Sequence, residues 1–414
     1  MAPITIWIAV LLSFFSIALF HCKFSIVIIS EMYGKVGATP PGQGLVDDML
    51  PPYRKGEVVP EIRALRAAAV TALMTAYDTD KSSDTRIFFD QKEFELPSDP
   101  SAEIMETLNK VQRLRDLYPQ SAAKGYDSKY IPTYLEPATY RLMTRNGRPY
   151  KVGKGEHGNI FIAQNTKTRD LVAIKAYYKQ VKLKGIRRTV PHTLADTLVE
   201  WGLFRKGQAL LKQKEFVAGE LLGFLKIKQG SHLLDLYHHA MAVVSLQSLV
   251  ENVPVVLTLS TVFQLRDKAT LLLDYGDWAD IMYQVLKAAK AMNEGGIRHG
   301  DFHEGNICMV YRDKSHDVKE PGFKIAIINF EEANFMKDVD EEEQKFQDMY
   351  WAFGLIAKLA HTLGMTNTYA YAQKIYDYSQ DGTFDNNPKL VNHYSYSWVT
   401  RKIKQCFVKD CVKF

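Results

Sequence analysis

The sequence predicts an α+β fold on three observations. From about Thr139 onward, short alternating strand patterns gather around glycines, as in Val152–Ala163 and Val172–Lys175. From Trp278 the texture becomes helical, with Ile281, Val285, Leu286, Ala289 and Met292 spaced to share one face. A separate run of helical patterns precedes the strands, between Pro60 and about Tyr118.

The composition agrees with a globular chain. Of 414 residues, 46% are hydrophobic and 24% charged, which excludes disorder and fibre. A net charge of +5 is too small to imply nucleic acid as a partner, and the densest basic stretch, Lys175 to Arg188, reads as a solvated face.

Ile4 to Phe20 is an unbroken run of apolar and small residues ending at His21-Cys22-Lys23. Its length suits a secretory leader better than a membrane span, although no Lys or Arg precedes it. Cleavage near Cys22 gives a secreted or lumenal protein, and this is the favoured expectation. Retention of residues 1–22 gives a signal anchor, and only then a membrane partner. Without the leader Cys308, Cys406 and Cys411 remain, too few for a disulfide scaffold. The chain has no Asn-X-Ser/Thr acceptor.

Residues 23–138 read as a linker followed by a helical extension. The stretch 31–59 is rich in proline and glycine. Ile62, Leu65, Val70, Leu73, Met74 and Tyr77 then fall near a helical period behind Pro60. Arg86–Asp90 is short and β-like. Asp99-Pro100 predicts an N-cap and first turn for a helix running to about Tyr118.

Val152-Gly153-Lys154-Gly155-Glu156-His157-Gly158 carries Gly-X-Gly-X-X-Gly, with a strand after it. Glycine is needed where backbone amides must approach phosphates, because a Cβ would hold the chain away. In a dinucleotide-binding turn a helix would follow, with an acidic residue further on; here a second strand ends in Lys175. That strand, Val172-Ala173-Ile174-Lys175, predicts an inward-facing ammonium at a cleft. Downstream, His299-Gly300-Asp301-Phe302-His303-Glu304-Gly305-Asn306 places an Asn five residues after an Asp, a pattern suited to phosphoryl transfer.

In that order, the glycine motif, Val-Ala-Ile-Lys and His-Gly-Asp-(X)4-Asn resemble the protein-kinase-like fold. The resemblance covers 139–414 and implies a bilobal domain, with a small β-rich lobe, a large helical lobe and ATP between them. It assigns Gly153, Gly155, Gly158, Val172 and Lys175 to ATP binding, Asp301 to proton acceptance, and Asn306 to magnesium. A helical Glu should pair with the Lys; Glu220 looks like that residue, with Glu200 and Glu215 as competitors. On this reading 182–212 is an insertion holding an extra helix, Leu194–Leu211. Val255–Phe263 would be the strand leading to the hinge.

Departures from the family's pattern are informative. Gly300 replaces an Arg common in protein kinases. His303 makes the loop similar to that of aminoglycoside and choline kinase-like phosphotransferases. The strand ending in Ile327-Ile328 should lead to Asp-Phe-Gly but leads to Asn329-Phe330-Glu331. Asn329 keeps a ligand oxygen and loses its charge, whereas Mg²⁺ is usually held by carboxylates and phosphates; Glu331 or Glu332 is positioned in sequence to restore the charge. Between Glu332 and Asp348 there is no Ser, Thr or Tyr, so phosphorylation control there is excluded. Asp348 is expected to brace the catalytic loop from behind. Ile403–Asp410 resembles a late helix of the large lobe, and Cys406 and Cys411 either pair or stay free thiols. Two functions follow: an ATP-dependent kinase acting on a protein or small-molecule hydroxyl with weakened magnesium binding, or a secreted pseudokinase acting through a protein partner.

Overall fold

The computed structural model describes residues 90–121, 125–145, 148–182, 188–213, 216, 219–245, 275–312, 322–338, 347–380 and 396–411. The chain divides into Met1–Pro51 and Pro52–Phe414, and every described residue belongs to the second unit. The leader, the linker, the helical period 62–77, the β-like 86–89 and the strand expected at 255–263 lie outside the described residues. Among the described residues no helix is long and apolar enough to cross a membrane.

The fold is α+β. The strands of its main sheet are β1 (Phe94–Glu95), β2 (Tyr140–Leu142), β3 (Lys151–Lys154), β4 (Gly158–Asn165), β5 (Leu171–Tyr178), β6 (Glu220–Ile227) and β7 (Tyr237–Ser245). They form one antiparallel seven-stranded sheet in the order β1-β6-β7-β5-β4-β2, with β3 pairing β4. Strand alternation sends successive residues to opposite faces. Phe161, Val172, Ile174, Leu225, Met241 and Val243 close a small cluster on one face. Ile162, Ala173, Tyr177, Phe224, Ala240 and Ala242 face the other way and join the main core.

Before the sheet's central strands, the helix expected from Asp99 to Tyr118 forms as two. Helix α1 (Ala102–Lys110) and helix α2 (Gln112–Leu117) are separated by Val111, whose extended φ/ψ of −104°/108° interrupts the hydrogen-bond ladder. The N-cap is Ser101, and the Asp99 carboxylate accepts from the Ser101 amide at 3.2 Å.

Helix α3 (Leu194–Gln213) crosses beneath the sheet. Thr193 and Asp196 cap its start reciprocally: the Thr193 amide donates to Asp196 Oδ2 at 2.8 Å, and the Asp196 amide to Thr193 Oγ1 at 3.2 Å. Leu198, Trp201, Leu203, Phe204 and Leu211 are all buried, so the helix is enclosed on several sides. The Tyr118 hydroxyl donates to the Leu198 carbonyl at 2.8 Å and anchors α2 to it.

The remaining helices are α4 (Tyr275–Glu294), α5 (Gln347–Thr362), α6 (Thr366–Gln380) and α7 (Tyr396–Cys411). The residues predicted to share a face of α4, Ile281, Val285, Leu286, Ala289 and Met292, are all buried. A second hairpin, β8 (Ile307–Arg312) with β9 (Gly322–Ile327), is tied to α4 where the Ile325 amide donates to Gln284 Oε1 at 3.1 Å. Asp410, on α7, is buried and caps the start of α6, accepting from the Asn367 and Thr368 amides at 3.0 and 2.7 Å. Cys308 and Cys406 are free thiols.

Candidate functional site

Lys175 lies on β5 between Ile160 of β4 and Ala242 of β7, well inside the sheet. Its side chain points toward the main core and is 9% exposed. The ammonium meets Glu200 Oε1 at 2.6 Å, Asn329 Oδ1 at 3.1 Å and the Glu331 carboxylate. Burial by itself pushes the Lys175 pKa down, but the attraction of Glu200 and then Glu331 outweighs it and raises the value above the ordinary one. Lys175 is therefore charged. Burial, with repulsion from Glu331, pushes the Glu200 carboxyl up against the pull of Lys175.

The expected partner Glu220 is thus replaced by Glu200. Glu220 opens strand β6, is exposed, and lies opposite Ser245. The reason is that Glu220–Ile227 forms a strand and not a helix. The helix treated as an insertion, α3, is itself the one that presents the Glu. The Thr193-X-X-Asp196 cap marked its start in the sequence, but a helix that buries polar as well as apolar residues on several sides has no clean polar face to reveal which Glu turns inward.

Val172 is also corrected. It is buried on β5, but three residues before Lys175 it faces the opposite side of the sheet, among Leu225, Met241 and Val243. Ala173 is on the Lys175 side. The two-residue strand period already contained this result.

The glycine motif forms the β3–β4 hairpin, closed by the Gly155 amide donating to the Gly158 carbonyl at 2.9 Å. A Cβ on Gly158 would sit 2.2 Å from the Ala176 carbonyl oxygen, so glycine here lets β4 and β5 approach beside Lys175. Between them, His157 reaches Glu331 at 3.7 Å and Glu332 at 3.6 Å. The hydrogen bond to Glu332 is the main reason its pKa is raised, opposed by burial and helped by Glu331.

The residues of the expected catalytic loop converge as a unit. Asn306 donates its amide nitrogen to the Asp301 carbonyl at 2.8 Å and to Asp301 Oδ2 at 3.0 Å. That leaves the Asn306 oxygen as the end of its carboxamide able to accept or ligate. His303 Nε2 is 3.2 Å from the same Asp301 Oδ2, while its Nδ1 accepts from the Gly305 amide at 2.9 Å.

Behind the loop, Asp348 on α5 accepts from the His299 and Gly300 amides at 2.5 and 3.0 Å. It is buried, and burial pushes its carboxyl up while His299 and the two amides pull it back. Gly300 has φ +78°, and a Cβ there would meet the Glu332 carbonyl oxygen at 2.3 Å. Any larger residue, the Arg of many protein kinases included, would have to displace that turn. His299 is fully buried, its Nε2 hydrogen-bonds the Ile328 carbonyl at 3.0 Å, and burial lowers its pKa.

An aromatic column joins these parts. Phe330 packs edge-on against Phe204 of α3 at 5.5 Å and against His299 at 4.9 Å. On α3, a Cβ at Gly207 would strike the Phe330 ring at 2.4 Å, so the contact is close-fitting. Preceding it, Asn329 takes φ +62°, a left-handed conformation that Asn tolerates better than most residues.

The fit to ATP and to Mg²⁺ differs. A glycine hairpin beside a buried ammonium suits a phosphate-bearing ligand, although all three ammonium donors already have acceptors. The magnesium donor set does not fit as arranged. Asn306 and Asn329 offer amide oxygens only, the Asn329 oxygen is held by Lys175, and the described residues contain no group of three or more His, Cys, Asp or Glu able to hold a metal.

No protein-family model matches the chain, and no curated protein matches it either. Among solved structures the chain is similar to the kinase domain of a Plasmodium protein, at 15% identity and a TM-score of 0.33, over 54% of this chain. The match spans 64% of that domain's length.

Proposed function

We propose that 139–414 is a bilobal protein-kinase-like domain that binds ATP between the glycine hairpin and the Asp301–Asn306 loop. Residues 23–138 are read as its linker and helical extension. The observation that carries this reading is the buried Lys175–Glu200 pair, joined through Asn329 and Phe330 to the catalytic loop. In this reading Lys175 holds the nucleotide phosphates, and the hairpin amides cover them. The Asp301 carboxylate receives the proton of an attacking hydroxyl as that oxygen bonds to the terminal phosphorus and the bond to the departing ADP breaks. Asn306 and His303 keep the carboxylate turned for this step.

A second reading, a pseudokinase that holds nucleotide without turnover and acts through a protein partner, is favoured by Asn329 and by the carboxylates around Lys175. Because the magnesium donors do not fit, no step here runs through a metal.

Thermal stabilisation of the full chain by ATP tests binding; absence of any shift, with or without Mg²⁺, removes both readings. Phosphate transfer by the wild type and its loss in Asp301→Ala supports the kinase. A silent parent that gains transfer on Asn329→Asp supports the pseudokinase. The proposed secretory route is tested at the N-terminus of mature material, where residues 1–22 should be missing.

A further inference from the structure

The side chain of Lys175 has three N–H donors, and Glu200, Asn329 and Glu331 take them. Two of these acceptors are carboxylates, so the ammonium is already more than neutralised before any ligand arrives. Glu200 belongs to helix α3, whereas Glu331 stands on a two-residue turn following Phe330. The Glu331 side chain is 9% exposed, as enclosed as that of Lys175. The other oxygen of that carboxylate is 3.7 Å from His157 in the glycine hairpin, where Glu332 lies at 3.6 Å. One turn thus holds both the phosphate-clamping lysine and the loop that would cover the phosphates.

We propose that Glu331 is an internal anion occupying the phosphate seat at Lys175, so that a phosphate-bearing ligand enters only by displacing it. This rests on the nucleotide reading above. The carboxylate presents to the ammonium the same acceptor chemistry as a phosphate oxygen. A di- or triphosphate set beside an unmoved Glu331 would place like charges within a few ångströms of one another in an enclosed site. Displacing Glu331 also breaks its contact with His157, which leaves the hairpin held to this turn through Glu332. Entry of phosphate and loosening of the hairpin are therefore one event. Glu200 remains on Lys175 throughout, so the lysine stays charged.

The test is a thermal-shift titration of the full chain with ADP, ATP and adenosine in the presence of a chelator. It compares wild type with Glu331→Gln, Glu331→Ala and His157→Gln. The Gln variant keeps shape and removes charge; the Ala variant empties the seat. Both Glu331 variants should bind ADP and ATP at least about tenfold more tightly than wild type. His157→Gln should gain less. Adenosine, which carries no phosphate, should bind all four chains equally. Unchanged or weaker ADP binding by both Glu331 variants overturns the proposal while leaving the nucleotide reading standing. An equal gain for adenosine also overturns it, since that marks general loosening of the cleft. If neither ADP nor ATP binds any of the chains, the nucleotide reading falls and this proposal with it.

Discussion

Removing the two partners of the central ion pair should have unequal costs. Lys175→Met leaves Glu200 and Glu331 facing each other without the ammonium between them, both with side chains under a tenth exposed. Breaking a buried pair by deleting one member costs about 3–5 kcal/mol, and two stranded carboxylates belong at the upper end. Glu200→Gln leaves the ammonium with Glu331 and Asn329, so its charge is still met; about 1–2 kcal/mol is expected. The gap should show in urea unfolding at neutral pH as a difference of about 2–3 kcal/mol.

The Lys175→Met variant should also carry a pH dependence of definite sign. In it Glu200 keeps the burial that raises its carboxyl pKa and loses the Lys175 attraction that opposes it, so its folded value stands further above the unfolded one. The folded state then binds more protons, and the variant recovers stability as pH falls toward the ordinary carboxylate range. A Lys175→Met loss below about 1 kcal/mol, or one no larger than that of Glu200→Gln, would refute the two-carboxylate geometry.

Three further outcomes follow from the packing. Gly300→Ala places a side chain at φ +78° and 2.3 Å from the Glu332 carbonyl oxygen, and should lose at least about 3 kcal/mol in chemical denaturation. Asp348→Asn turns an NH₂ toward one of the two amides that the carboxylate now accepts, at a cost of about 2–3 kcal/mol that a thermal melt would register. His192 and His238, whose pKa values burial lowers from 6.5 to about 4 and about 3, stay neutral in the fold while the unfolded chain takes up protons. Stability should therefore fall as pH drops below 6.5, by about 2 kcal/mol for each residue on reaching pH 5, and substituting Gln at both positions should flatten urea midpoints between about pH 5 and 7.

Much of the site was legible because it is local in sequence. The Asp301–Asn306 spacing sets a turn that closes on itself, and Asn306 bonds back to Asp301 within the same few residues. The glycine hairpin and the strand carrying Lys175 were legible for a similar reason: alternation and glycine placement act over a handful of positions. The same alternation puts Val172 on the face opposite Lys175.

What only the tertiary structure decided are the encounters between distant segments. Lys175 and Glu200 are brought together by the crossing of α3 beneath β5, and a helix buried nearly all round shows no stripe from which its inward Glu could be chosen. Likewise Asn329 and Glu331 could be read as altered metal ligands, but their turn toward Lys175 and His157 depends on how the strand after the catalytic loop docks against the sheet. The sequence determined which chemical groups this protein carries and in what order. Long-range packing decided which charges meet, because the choice between neighbouring acidic residues depends on burial and distance rather than on spacing along the chain.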